Sequence, residues 1–367
     1  MDQLLREWPP GFGGVERVAH ALAVEEPGKV FSLQDSQNLK DSVSVNYHRE
    51  ALPSFALGRL FLPLPSYSLF HLLISRRPLI VHLPCPSVLF LASLAKVIRP
   101  GRSIKVYWHA FLEQREGIVG LCEQTYQWIA ILMLRFFPAI STSPVLIEGL
   151  QAKGISAARI NFLPCALTPE AEDSYGLIWE KRKELLSSSG TIIFIGRLDS
   201  YKRVDWLIRI FPEISSASQL LILGEGPYRS RLELLAKHLL RPHQVAHFFG
   251  RVNETRKQEL LARADVLVLP SAQSNEAFGI VQLEAMACGV PAFSFANRFS
   301  GMFWVSRLPG LAWTGNPNEL APLLQHLLVD SDLYRLAANQ ARSRYEQNFA
   351  VAIWRKRFAA IREGNVD

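Results

Sequence analysis

The sequence predicts an α/β protein built from two doubly wound, Rossmann-like domains facing each other across a cleft. Apolar strand-like runs alternate with amphipathic helical patterns along nearly the whole chain, which implies parallel sheets covered by helices on both faces. With 367 residues, the chain is too long for one small core and suits two. A polar stretch, TPEAEDSYGLIWEKRKELLSSSG, separates two such series between about Leu167 and Gly190. The first domain is therefore expected at residues 1–170 and the second at 171–349, with a C-terminal helix at about 350–367 packing back on the first.

Taken in order, the first series has strands at Leu4–Glu7, Lys29–Leu33, Ser44–Tyr47, Leu79–Leu83, Ile104–His109, Ala139–Ser141 and Ile160–Pro164. Helical patterns include Gly14–Val24, Glu116–Phe136 and Val145–Lys153. The first strand is short for a central position, which leaves open a start upstream of Met1. From Thr191 the second series reads TIIFIGRL, QLLILGEG, VAHFFGRV, DVLVLPS and VPAFSFA. Helices are expected between them near Val204–Phe211, Tyr228–Leu240, Glu254–Ala264 and Gly279–Ala287. Ligands of such sheets bind beyond the carboxyl ends of the strands, so the interdomain cleft is the expected site.

Composition narrows the class. Hydrophobic residues make up 49% and charged residues 20%, which fits a packed globular chain and excludes a disordered one. Cys85, Cys122, Cys165 and Cys288 show no CxxC or Cys/His metal spacing, so buried free thiols in a reducing, cytoplasmic compartment are expected. MDQLLREWPP has no signal-peptide pattern. The apolar tract Pro78–Ile98 is interrupted by His82, Pro84 and Pro86, and reads as strand, turn and helix rather than a membrane span. Between Glu50 and Glu113 there is no acidic residue, while Arg59, Arg76, Arg77, Lys96, Arg99, Arg102 and Lys105 all fall there. Such a basic surface with apolar neighbours suits an anionic membrane or a lipid phosphate; an ordinary solvated basic face is the alternative. No nucleic-acid-binding module is visible.

The stretch Pro270–Pro291, PSAQSNEAFGIVQLEAMACGVP, is the most informative. It places Glu276 and Glu284 eight residues apart around the loop-like Ala277, Phe278 and Gly279, with Ile280 opening an apolar helical pattern. A helix start near Phe278 or Gly279 would offer free N–H groups and a partial positive charge to a phosphate. Glu284 would lie about one and a half turns inside it. Simple helix capping is the competing reading. In FIGRLDSYKRVDWL, Arg197 follows a strand and Lys202 comes five residues later, where two cations can hold a diphosphate. LGEGP closes the next strand with a turn; FFGRV, with Arg251 and Val252, does the same and could flank a nucleobase. At the N-terminus, the Gly-rich turn with Gly11, Gly13 and Gly14 lets the backbone approach a ligand, or simply turns. His109 ends a strand, where a histidine is structural or functional. No G-x-S-x-G, Walker or HExxH pattern occurs, and Asp332 reads as a helix cap. A metal is not required.

Together these pieces resemble the retaining nucleotide-sugar glycosyltransferases of family 4, which have the two-domain GT-B fold. The likeness runs through GFGGVE, the strand ending in His109, TSPVLIEGLQAKGI, FIGRLDSYKRVDWLI, LILGEGP, FFGRV and EAFGIVQLEAMACGVP, the last being the E-x7-E motif. The resemblance implies that Arg197 and Lys202 hold the donor diphosphate, and that Glu276 and the amides of Ala277–Ile280 meet the donor sugar and phosphates. It implies that Glu284 binds ribose hydroxyls, that Gly13 and Gly14 lie by the donor phosphate and acceptor, and that His109 lies near the transferred sugar. It further implies no metal and no covalent nucleophile, the leaving diphosphate helping to deprotonate the acceptor on the same face. The chain departs from the family at Cys165–Ala166, where Asn-Gly is usual, and at Arg203, where glycine is frequent. Within the family, SNEAFGIVQLEAMACGVP together with the SGMFWVSR that follows resembles mannosyl- or rhamnosyl-transferring enzymes of surface polysaccharide synthesis.

The expected activity is transfer of a hexose, mannose-like favoured, from a nucleoside-diphosphate sugar to a lipid-linked or polysaccharide (glycan) acceptor. The expected location is the cytoplasmic face of the cell membrane, held peripherally on anionic lipid. A non-catalytic sugar-nucleotide-binding protein and a GT-B UDP-sugar epimerase are the alternatives.

Overall fold

Short runs of Val, Ile and Leu become parallel strands in the computed structural model, which describes residues 1–7, 14–33, 46–57, 60–113, 115–271 and 273–363. The chain divides into unit 1, Met1–Cys165 with Arg355–Asp367, and unit 2, Ala166–Trp354.

Unit 1 contains β1 (Asp2–Leu5), β2 (Lys29–Ser32), β3 (His48–Ala51), the hairpin β4 (Ser54–Leu57) and β5 (Leu60–Pro63), then β6 (Leu79–Leu83), β7 (Ile104–Trp108), β8 (Ala139–Ser141) and β9 (Ile160–Phe162). Its helices are α1 (Gly14–Glu25), α2 (Tyr67–Ile74), α3 (Pro86–Ile98), α4 (Gly117–Met133) and α5 (Pro144–Gln151). The parallel sheet runs β3-β2-β1-β6-β7-β8-β9, with Leu4 aligned to Phe31 on one side and Val81 on the other. The strand order reverses between β1 and β6, so ligands are expected outside their carboxyl ends. Because α3, α4 and α5 each carry the chain to the next strand in the same direction, right-handed crossovers put all three on one face.

Several expectations shift here. The first strand starts at Asp2 rather than Leu4: Asp2–Leu5 are all buried, whereas Arg6 and Glu7 are partly exposed and pair with each other at 3.3 Å. Of the expected strand Ser44–Tyr47, residues 44 and 45 lie outside the described residues, and the observed β3 is the more polar His48–Ala51. Pro78–Ile98 forms β6, a turn and α3, and among the described residues no helix is long and apolar enough to cross a membrane. Cys122 is exposed on α4, unlike the other three cysteines.

The acid-free stretch is not simply a basic surface. Arg102 is 2% exposed and donates to the carbonyls of Arg77 (2.8 Å) and Leu72 (2.5 Å). Lys96 donates to Arg102 O, Arg99 to Ile74 O and Lys105 to Ile361 O. Long cationic side chains satisfy carbonyls that helix and strand ends leave open. Arg76 and Arg77 remain exposed, and Arg59 lies outside the described residues. The outward face is apolar instead: Tyr67 and Phe70 on α2, Phe90 and Val97 on α3, and Ile118, Val119, Leu121 and Trp128 on α4 are all more than half exposed.

Unit 2 begins with α6 (Pro169–Arg182) and alternates β10 (Thr191–Ile195), α7 (Val204–Ile210), β11 (Gln219–Leu223), α8 (Arg229–Leu239), β12 (Val245–Gly250), α9 (Glu254–Arg263), β13 (Val266–Leu269), α10 (Val281–Ala287) and β14 (Ala292–Ser294). It continues with α11 (Met302–Ser306), α12 (Pro317–Val329) and α13 (Ser331–Asn348). Helix α14 (Val351–Glu363) gives its first turn to unit 2 and the rest, from Arg355, to unit 1. The parallel sheet order is β12-β11-β10-β13-β14, with its switch point between β10 and β13.

The polar joint of the sequence is a helix. Thr168 caps α6, Pro169 opens it, and Tyr175 and Trp179, four apart, turn to the core on one face. Trp179 packs against Gly289, where a Cβ would come within 2.3 Å of its ring. Asp330, rather than Asp332, caps α13, accepting from the amides of Asp332 and Leu333 at 2.9 Å.

Candidate functional site

The carboxyl edge of β10 and β13 carries the charged residues. After β10, the chain is held in a tight loop by backbone bonds: Gly196 N to Leu223 O, Leu198 N to Glu225 O and Tyr228 N to Leu198 O. The LGEGP turn packs so closely that a Cβ on Gly224, at φ +141°, would meet Gly196 O at 1.9 Å. That contact explains the glycine and fixes the loop bearing Arg197 and Lys202. Arg197 is 67% exposed and lies 3.4 Å from Asp199. Lys202, 12% exposed, pairs with Glu276, 20% exposed, reached from the loop after β13. The Lys202 ammonium also sits 5.3 Å from the centre of the Tyr201 ring. Burial, then Glu276 and Asp199, push the Tyr201 phenol up to about 12, with Arg197 acting the other way. These residues therefore share one electrostatic neighbourhood.

The loop after β13 is built for a close approach. Gly279 has φ +68°, which ends right-handed helical geometry. Helix α10 therefore starts at Val281, not at Phe278 or Gly279, and Glu284 falls in its first turn instead of one and a half turns in. No acceptor exists among the described residues for the amide N–H groups of Phe278, Gly279 and Ile280. Ser300 Oγ donates to Glu276 O at 2.5 Å and Gly301 N to Ala277 O at 2.8 Å, holding this loop from the side. Ala277, Phe278 and Ile280 are themselves buried.

Glu284 is 2% exposed and pairs with Lys257 of α9 at 2.8 Å, while Lys257 also meets Glu254 at 2.9 Å. Glu254 in turn accepts from Tyr175 Oη at 2.9 Å. Burial first, then Glu284 and Glu254, push the Tyr175 phenol far above its ordinary value. Arg251 and Val252 follow β12 at the same carboxyl edge, Arg251 exposed and Val252 half-buried. A cavity of about 460 Å³ beside Ser200 and Arg203 lies next to this edge, and one of about 1050 Å³ lined by Thr191, Gln219 and Asp265 opens at the opposite, amino ends of the strands.

In unit 1, Gly13 and Gly11 lie outside the described residues, and Gly14 opens α1 with free space where a Cβ would be. His109, just past β7, is 8% exposed. Its Nε2 lies 2.8 Å from His82 Nδ1, and its ring stacks 4.6 Å from that of Tyr107. Burial, then His82, holds His109 well below the usual histidine range, and burial lowers His82 to about 3. Both shifts favour the neutral rings.

Sequence reasoning singled out Arg197, Lys202 and Glu276, which the structure brings together. It missed Tyr201, although its neighbour Lys202 marked the place. It also missed Lys257, Ser300 and His82, partners of Glu284, Glu276 and His109 that are distant along the chain and carry no local signal.

Residues 178–344 match the family described as Glycosyl transferases group 1. An uncharacterized glycosyltransferase of Methanocaldococcus jannaschii is 33% identical over 182 residues, 47% of this chain and 45% of that one, so the match spans less than half of each. The GDP-mannose-dependent monoacylated alpha-(1-6)-phosphatidylinositol monomannoside mannosyltransferase of Corynebacterium glutamicum is 26% identical over 347 residues, 88% of this chain and 87% of that one. The fold is similar to that of Anabaena HepE, solved in complex with UDP, with a TM-score of 0.75 and 17% identity over 99% of each chain. The glycosyltransferase family match thus falls within unit 2, and the fold of the chain is of the GT-B type.

Proposed function

We propose that the protein transfers a hexose, with mannose favoured, from a nucleoside-diphosphate sugar to a lipid-linked or glycan acceptor, retaining the anomeric configuration as in family 4. The observation that carries this reading is the Lys202–Glu276 pair beside exposed Arg197 at the switch point of unit 2. A diphosphate arriving there would take Lys202 in place of Glu276 and Arg197 in place of Asp199, neutralising the charge that develops as it leaves. Glu276, released from Lys202, would face the sugar, and the amides of Phe278, Gly279 and Ile280 would meet its phosphates. Glu284 is assigned the ribose hydroxyls, with Lys257 holding its carboxylate in place. Arg251 and Val252 flank the base; the resemblance to family 4 assigns Gly13 and Gly14 to the donor phosphate and acceptor, and His109 to the sugar. Two cations at the diphosphate make a metal unnecessary, and the leaving diphosphate takes the acceptor proton. The mannose preference is supported by the Corynebacterium glutamicum relative, which is GDP-mannose-dependent and acts on a lipid mannoside.

A thermal-shift series against UDP-, GDP-, ADP- and dTDP-sugars tests the donor class. A ligand at a hundred times its Kd stabilises by about 2.7 kcal/mol, so the true donor should stand out. Slow release of free nucleotide without acceptor would separate an enzyme from a sugar-nucleotide-binding protein. No shift with any donor overturns the reading.

We also propose a peripheral position on an anionic membrane at its cytoplasmic face. What supports it is the apolar outward face of α2, α3 and α4, with Arg76 and Arg77 exposed nearby in the chain. Apolar insertion and cation attraction act together at such a surface. Trp128→Ser with Ile118→Ser should reduce co-sedimentation with anionic vesicles several-fold. Unchanged binding by this variant, or none by the wild type, removes the proposal.

A further inference from the structure

A chain of hydrogen bonds runs through the core of unit 1 and has a fixed direction. It starts at the backbone carbonyl of Ala19 on α1, which can only accept. Gln3 Nε2 donates to it at 2.9 Å. The other end of that amide, Gln3 Oε1, is then an acceptor and lies 2.9 Å from His82 Nε2. His82 must therefore carry its proton on Nε2. In a neutral ring the other nitrogen, Nδ1, is left as an acceptor. It faces His109 Nε2 at 2.8 Å, so that nitrogen must donate. A neutral His109 then has its lone pair on Nδ1.

The surroundings hold both rings neutral. Gln3 and His82 are each 2% exposed, so a charge on this chain would be desolvated, and among the described residues no carboxylate bonds to it. Tyr107, two residues before His109 on the same face of β7, stacks on both rings, with centroids at 5.7 Å from His82 and 4.6 Å from His109. Its hydroxyl is occupied with Leu163 O at 2.7 Å. The rings are thus clamped flat, and His109 Nδ1 has no partner among the described residues.

We infer that Gln3 and His82 are positioning residues that lock His109 as its Nε2–H tautomer, presenting Nδ1 as a hydrogen-bond acceptor for a ligand hydroxyl at the carboxyl edge of the unit 1 sheet. His109 then reads a sugar O–H and cannot donate a proton to the departing diphosphate through Nδ1. The second part rests on the reading of His109 as a sugar contact; the tautomer does not.

Nitrogen-15 NMR of the histidine rings in the full-length protein at pH 7 tests the lock directly. The expected spectrum of His109, assigned by its loss in His109→Gln, has a protonated Nε2 and an unprotonated Nδ1. A protonated Nδ1 in the wild type overturns the proposal. His82→Leu removes the acceptor and should give mixed tautomers at His109. His82→Asn keeps an oxygen where Nδ1 stood and should retain the wild-type form. With GDP-mannose as probe, His82→Leu should lower turnover about tenfold, the worth of one misdirected hydrogen bond, while the Kd for free GDP stays unchanged and His82→Asn recovers most of the loss. Equal turnover by His82→Leu and wild type, with the tautomer altered, overturns the role of Nδ1 as a ligand acceptor. No turnover of GDP-mannose by the wild type counts against the donor assignment and leaves the NMR result to decide the lock.

Discussion

The two units hold their polar residues in opposite ways. In unit 2, Arg197, Lys202 and Glu276 are charged, partly exposed and carried on loops. In unit 1, Gln3, His82 and His109 are neutral, buried and on or beside strands of the sheet. The difference follows from what each arrangement can do. An accessible ion pair is a weak contributor to the fold and is readily exchanged for a ligand's charge. A buried neutral chain has no such freedom: every donor faces an acceptor, and its direction is set by one backbone carbonyl. Charge binds in the first case, and polarity is fixed in the second.

The largest effect should come from removing the exchangeable charges. Arg197→Ala or Lys202→Ala is expected to lower transfer by about two to three orders of magnitude, as for loss of a charge-stabilising donor. Glu276→Gln should chiefly lower kcat with nucleotide affinity kept, since it acts where bonding changes. Melting temperatures should barely move in all three. Near wild-type turnover in both cation variants would sink the diphosphate assignment.

Next in size is the buried Glu284–Lys257 ion pair of unit 2. Glu284→Gln leaves the Lys257 ammonium, 8% exposed, without that carboxylate, and should cost about 3 kcal/mol of stability. Adding Lys257→Met should restore much of it. Denaturant unfolding of the single and double variants, set beside nucleotide titration, separates this structural effect from ribose binding. A Glu284→Gln protein of wild-type stability that has lost nucleotide affinity would make the residue purely a ligand contact.

A smaller, pH-dependent effect belongs to unit 1. His82 is lowered to about 3 in the folded state, so below its unfolded value near 6.5 the unfolded chain binds the extra proton. Stability from this group is full above about pH 6.5 and declines as pH falls toward 3, by roughly 2 kcal/mol at pH 5. His82→Asn should flatten that part of the pH profile. Identical slopes for variant and wild type between pH 7 and 5 would show that His82 is not buried as a neutral ring.

The smallest effect is at Arg203, whose φ of +53° makes it the one non-glycine residue in the left-handed region among the described residues. Arg203→Gly should raise stability by about 1 kcal/mol, read as a higher melting temperature, if its side chain does no more than follow Lys202. Loss of activity in a stabilised Arg203→Gly protein would give the arginine a role of its own.

Much of this was legible in the residues. The alternation of Val/Ile/Leu runs with helical patterns marked both parallel sheets, because strands covered on both faces must be apolar throughout. Arg197, Lys202 and Glu276 were legible because they lie in the loops that follow β10 and β13, at the carboxyl edge where ligands of such sheets are expected. Helix α6 was obscured by its charged residues, although Tyr175 and Trp179 already had helical spacing. The start of α10 was placed too early because an apolar pattern does not reveal that Gly279 has left-handed geometry. The acid-free stretch looked like a basic surface because a sequence records charge without saying which carbonyl a lysine or arginine satisfies.

The sequence by itself determined the α/β class, most strands of the two series, the loops that bear the cations and the glutamate after β13. These depend on periodicity and near neighbours, which act along the chain. Only the tertiary structure decided that Lys257 holds Glu284, that Arg102 is buried and that Gln3 and His82 orient His109. Those bonds join residues 27, 30 and 79 positions apart, and no local pattern encodes a hydrogen-bond direction that begins on another element.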